Sequence, residues 1–125
     1  MRGIYITKAK IISSDDRRDI ISITNGVLNI QDIHICIMKK GEQILGNHHH
    51  PYSEVCYCFK GSCYYWLHNT LTGEKMEIEF REGDVMYRAP YVTHTCKCSE
   101  DCILIDGAEK SWLDEEWNHT REVLQ

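Results

Sequence analysis

The residues best suited to chemistry lie in one segment, Gly46-Asn47-His48-His49-His50-Pro51-Tyr52-Ser53-Glu54. In an extended chain successive side chains point to opposite faces, so His48 and His50 aim together and His49 aims away. A turn at Pro51-Tyr52-Ser53 can carry Glu54 onto the face of His48 and His50. Two imidazoles and a carboxylate converging on one point form a metal site with open positions, suited to iron, zinc, manganese, nickel or cobalt. The competing reading is a solvated cluster of loop histidines. An expression tag is disfavoured, because the run is internal.

Strands must position these side chains. Gly3 to Ala9 and Asp19 to Thr24 read as strands, and Asn25-Gly26 supplies a turn after which Val27 to Ile30 pairs back as a hairpin. Ile33, Ile35 and Ile37 share one face of the next strand, with His34, Cys36 and Met38 on the other. Gly41 to Asn47 reads as loop, and Pro51, which cannot donate a ladder hydrogen bond, interrupts a strand around His48 to His50. Glu54 to Phe59, Ser62 to His68 and Lys75 to Phe80 follow, then Val85 to Ala89, Thr93 to Cys98 and Cys102 to Asp106. Many short strands between turn signals mean an all-β sandwich or barrel. From Glu109 to Val123 the tail reads as partly helical, with Trp112, Leu113 and Trp117 on one apolar face. No repeat or linker divides the chain, so residues 1–125 are expected to form a single domain.

At this point two motifs stand out. His48-x-His50, three residues, Glu54, six residues and Gly61 resemble the first motif of the cupin superfamily. Gly83-Asp84-Val85-Met86-Tyr87-Arg88-Ala89-Pro90-Tyr91-Val92-Thr93-His94 resembles the second. The two regions span residues 46–61 and 83–98. The resemblance implies a double-stranded β-helix, the cupin jelly-roll barrel. It also implies one divalent transition metal per subunit, held by His48, His50, Glu54 and His94. The departures avoid those four positions. Gly46 sits one residue further from His48 than usual, Tyr91 replaces a common glycine, Ala89 replaces a proline and Cys98 stands where many members have asparagine.

The seven cysteines are Cys36, Cys56, Cys58, Cys63, Cys96, Cys98 and Cys102. An odd count without a secretion signal reads as reduced thiols rather than a disulfide framework. Counting by twos from Glu54 reaches Cys56 and Cys58, and from His94 it reaches Cys96 and Cys98, so these four share the ligands' face. They act there either as small buried hydrophobes or as a thiolate site or pocket lining. Arg88 is either a solvated or interface residue or a bidentate holder of phosphate or carboxylate. His34 and His68 are candidate bases, and Tyr87 a candidate acid.

Composition narrows the function classes. The formal net charge is −5, with the cations scattered, which disfavours a nucleic-acid partner. No apolar run reaches the roughly 18 residues of a membrane span. Met1 to Lys10 lacks the apolar core of a signal peptide, so the expected location is cytoplasmic. Fold does not fix function. The leading expectation is an isomerase or epimerase acting on a nucleotide- or phospho-sugar. The stretch Gly46 to His50, Glu54, Gly61 and the Thr72-Gly73-Glu74 hairpin are similar to small cupins of surface-polysaccharide biosynthesis. A non-catalytic binding cupin comes second, and an Fe(II)-dependent dioxygenase third. The resemblance also implies a homodimer, with the aromatic-rich strand Cys63 to His68 offering apolar surface.

Overall fold

Alternating sequence becomes strand along most of the chain. The computed structural model describes residues 1–24, 28–110 and 120–121. In order, the strands are β1 (Ile4–Lys8), β2 (Lys10–Ser14), β3 (Asp19–Ser22) and β4 (Asp32–Met38). There follow β5 (Leu45–His49), β6 (Glu54–Lys60), β7 (Ser62–Asn69) and β8 (Lys75–Arg81). The last four are β9 (Asp84–Arg88), β10 (Val92–Cys98), β11 (Cys102–Ala108) and β12 (Thr120–Arg121). Every pairing is antiparallel. One five-stranded sheet has the order β1-β9-β6-β11-β4, the other β12-β5-β10-β7-β8, and β2-β3 stands as a separate hairpin. The neighbours are mostly distant in sequence, as in a jelly roll.

The core lies between the two large sheets. Cys56, Cys58, Met86 and Leu104 come from the first and Cys63, Tyr65, Leu67 and Phe80 from the second, none more than 3% exposed. Burying each of the larger apolar side chains contributes roughly 1.5–3 kcal/mol. The outer face of the first sheet is covered along β6 and β9, where Val55, Tyr57 and Val85 pack with Ile23, Leu28 and Ile30. β6 is therefore buried on both faces from Glu54 to Cys58. Among the described residues no helix is long and apolar enough to cross a membrane.

Three expectations change. The N-terminal hairpin is β2–β3, and Leu28 to Ile30 forms no strand. Its turn is set by Asp15, whose Oδ1 accepts from the Arg17 and Arg18 N–H groups at 2.8 and 3.2 Å. The side chain thus closes a hairpin ahead of β3, one strand earlier than the hairpin expected around Asn25-Gly26; Asn25 to Val27 lie outside the described residues. Next, β5 already begins at Leu45, inside the expected loop. Finally, Thr120–Arg121 pair with His49 and His48. The open edge of β5 is satisfied by strand hydrogen bonds, so these two residues are not helical. Trp112, Leu113 and Trp117 lie outside the described residues.

Candidate functional site

Cross-strand register, rather than sequence proximity, joins the histidines. β5 and β10 pair with His48 directly opposite His94, while Thr95 pairs with Gly46. Asn47 is skipped, so two residues face one in a β-bulge. Gly46 and Asn47 both take positive φ, 81° and 61°. A Cβ on Gly46 would stand 2.8 Å from the His94 carbonyl oxygen. The bulge thus absorbs the extra residue between Gly46 and His48 and keeps the imidazoles converging. Tyr91, at φ 66°, takes the left-handed backbone that favours glycine. Its N–H donates to the His50 carbonyl at 2.8 Å, anchoring the end of the histidine segment.

His48, His50 and His94 are buried and each offers a ring nitrogen within 4.8 Å of the others. Their ring centroids are separated by 4.6 Å for His48 and His94 and 4.9 Å for His48 and His50. His50 stacks on Tyr52 at 4.8 Å. His49 points the other way, with its Nδ1 at 3.1 Å from Thr93 Oγ1. Glu54 Oε1 lies 3.5 Å from His50 Nε2 and 3.9 Å from His94 Nε2. The same oxygen is 3.3 Å from Arg88 Nη2. Arg88 is only 2% exposed, neither solvated nor at the surface, and its Nε has no hydrogen-bond partner among the described residues.

A cavity of about 460 Å³ opens between β4–β11 and β5–β10, lined among others by His34, His48, Glu54, Arg88, His94 and Asp106. That volume lies in the range of small-ligand sites, about 300–1,000 Å³. Its charges are mutually tuned. Burial raises the Glu54 pKa, with Arg88 opposing. Burial, then Arg88 and the other two imidazoles, push His94 well below the usual histidine value and keep it neutral. On β4, His34 Nε2 is 3.2 Å from Asp106 Oδ2, and His34 Nδ1 is 3.2 Å from Asp32 Oδ2. The bond to Asp106 raises the His34 pKa against partial burial.

Of the sequence-derived candidates, His34 and Arg88 enter the cavity lining with His48, Glu54 and His94. Tyr87 and His68 do not. Strand alternation places Met86 and Arg88 inward, so Tyr87 turns outward, where its hydroxyl meets Ser53 Oγ at 3.1 Å. His68 likewise lies opposite in phase to the buried Tyr65 and Leu67. Asp106 was missed. Its signal was available: Cys102, Leu104 and Asp106 alternate on one face of a strand, which puts an acid on the inward side. Cys56, Cys58, Cys96 and Cys98 are all inward and at most 6% exposed, packed in the core with Cys63 and Cys102.

No protein-family model and no curated protein matches the sequence. Solved structures do match. A mutant of the 3,4-ketoisomerase QdtA from Thermoanaerobacterium thermosaccharolyticum, in complex with TDP-4-keto-6-deoxyglucose, is 20% identical with a TM-score of 0.80, covering 98% of this chain and 89% of that one. The WlaRB TDP-quinovose 3,4-ketoisomerase from Campylobacter jejuni is 17% identical with a TM-score of 0.83, covering 98% and 95%. The dTDP-4-dehydrorhamnose 3,5-epimerase from Sulfolobus tokodaii is 16% identical with a TM-score of 0.78, covering 94% and 76%. At these identities the likeness shows the fold, and the fold of this chain is the one these sugar ketoisomerases and epimerases share.

Proposed function

We propose that this chain is a nucleotide-sugar isomerase or epimerase that moves a proton beside a sugar carbonyl. The observation that carries the reading is a cluster of three buried imidazoles, of which His48 and His94 line one cavity together with a buried Arg88–Glu54 pair. The fold is also that of a ketoisomerase solved with TDP-4-keto-6-deoxyglucose. In such a sugar the hydrogen on the carbon beside the keto group is acidic, and its removal leaves an enediolate. Returning the proton to the former carbonyl carbon isomerises the sugar; returning it to the opposite face of the first carbon epimerises it. A neutral imidazole of the cluster is a suitable proton acceptor; the depressed pKa of His94 makes it the weaker base and leaves this part to His48 or His50. Glu54, in reach of His50 and His94, stabilises the imidazolium that results. Arg88 presents a desolvated positive charge that favours the enediolate oxygen. The experiment is NMR of 4-keto nucleotide sugars in deuterated water. Deuterium beside the carbonyl supports the reading, and no exchange across a panel of such sugars sinks it. Tight binding without exchange would favour a binding module instead.

A specific observation favours a second reading of the histidine cluster. His94 Nδ1 lies 3.4 Å from the Val92 carbonyl, which leaves Nε2 for an ion. The site would then hold one divalent transition metal (iron, zinc, manganese, nickel or cobalt) through His48, His50 and His94, with Glu54 as fourth ligand. When bound, the metal supplies Lewis-acid polarisation of the carbonyl. Against this, Glu54 Oε1 already serves Arg88. Chelation separates the two: proton exchange persists if the imidazoles act alone and stops if the metal is required. A homodimer belongs to the same proposal. β4 is an edge strand, and Ile33, Ile35 and Ile37 on its outer face are 67%, 61% and 74% exposed. In the aromatic strand, by contrast, Tyr65 and Leu67 are in the core.

A further inference from the structure

Across the cavity from the histidine cluster, a second set of donors gathers on β4 and β11. His34 and Asp106 are direct cross-strand partners, and Cys36 follows His34 by one alternation on the same inward face. His34, Cys36 and Asp106 each offer a ligand atom within 4.8 Å of the others. We propose that these three residues form a binding site for one borderline-soft divalent cation, of the zinc or cobalt type, separate from the histidine cluster.

Distances carry the argument first. Nitrogen and oxygen ligands at about 2.0–2.1 Å and sulfur at about 2.3 Å around a tetrahedral ion stand about 3.3 Å (N to O) and about 3.5 Å (S to O) apart. His34 Nε2 to Asp106 Oδ2 measures 3.2 Å and Cys36 Sγ to the same oxygen 3.8 Å. The donors are thus spaced for a shared ion before any ion binds. The supporting carboxylate comes next. A ligating histidine usually gives its other ring N–H to a carboxylate, which fixes the ring. Asp32 Oδ2 occupies that place, 3.2 Å from His34 Nδ1.

The independent sign of a missing partner is Asp106 itself. It is 7% exposed, lines the cavity, and its Oδ1 is buried with no hydrogen-bond partner among the described residues. The Cys56 thiol adds only weak donation to this carboxylate. An unsatisfied buried carboxylate oxygen carries an uncompensated desolvation cost, which a cation would offset. One nitrogen, one sulfur and one oxygen suit zinc or cobalt better than magnesium or calcium, which take oxygen ligands. Three protein ligands leave a fourth position for water or substrate.

The test is cobalt(II) titration of the full-length protein, followed by absorption. Thiolate ligation gives a near-ultraviolet charge-transfer band that a site of imidazoles and carboxylate lacks, so the band separates this site from the histidine cluster. The expected result is a band saturating near one equivalent, lost in Cys36→Ser and retained in His94→Asn. Asp32→Asn should keep the band and weaken cobalt binding about 10–100-fold, because Asp32 positions His34 without touching the ion. Cobalt should also raise the melting temperature of the parent protein more than that of Cys36→Ser. Absence of the band overturns the proposal. So does a band that survives Cys36→Ser, which would place the metal on the core thiols. Neither outcome touches the proton-exchange assay, so this proposal and the sugar-enzyme reading fail separately.

Discussion

Arg88→Met isolates the interaction on which the site's electrostatics rest. Arg88 and Glu54 are 2% and 3% exposed. At their separation of 3.3 Å, an effective dielectric of ~20 gives an attraction of about 5 kcal/mol. Methionine fills similar space without charge, leaving Glu54 buried and unpaired. Breaking such a pair from one side typically costs about 3–5 kcal/mol. A chain of 125 residues has roughly 6–19 kcal/mol of stability in all, so the loss is large and measurable. The assay is equilibrium urea unfolding of chelated protein, comparing Arg88→Met, Glu54→Gln and the double variant. The double variant should recover about 2 kcal/mol or more relative to the sum of the singles, because the orphaned charge is gone. A loss below about 1 kcal/mol in Arg88→Met, or strict additivity in the double variant, would refute the reasoning.

Further outcomes follow from the backbone and the surfaces. Gly46→Ala places a Cβ against the His94 carbonyl at a positive φ, so it should cost about 2 kcal/mol or more; unchanged urea stability would remove the bulge argument. At Tyr91, glycine should be more stable than alanine by about 1 kcal/mol, since alanine keeps the left-handed strain and glycine does not; thermal melts of the two variants decide. Alkylation of native protein should spare Cys56, Cys58, Cys63, Cys98 and Cys102, all at most 3% exposed; rapid labelling of these would contradict their burial. Cys36, with its thiol pushed up to about 12 by burial and then by Asp106, should label slowly. Light scattering should give a dimer that Ile35→Lys dissociates without loss of melting temperature, and a monomeric parent protein would reject the β4 interface.

Much of the local design was legible from the amino-acid pattern. Strand alternation has a fixed period of two, so it alone separated His48 and His50 from His49, and His34, Cys36 and Met38 from Ile33, Ile35 and Ile37. The departures at Gly46 and Tyr91 were visible too, and each marks a positive φ. The β2–β3 hairpin was not legible, because an aspartate side chain closes its turn where no glycine signal exists. Nor was the pairing of Thr120 and Arg121, which depends on an open strand edge that only the assembled sheet defines.

The sequence by itself determined which side chains share a face, because that follows from one strand at a time. Tertiary structure decided which faces meet. Arg88 could be read as solvated until packing buried it beside Glu54, thirty-four residues away in the chain. His34 and Asp106 are seventy-two residues apart, joined only by the register of β4 against β11. Register is fixed by hydrogen bonds and core packing summed over many residues, so no local pattern announces that a histidine, a thiol and a carboxylate will stand together across a cavity from three imidazoles.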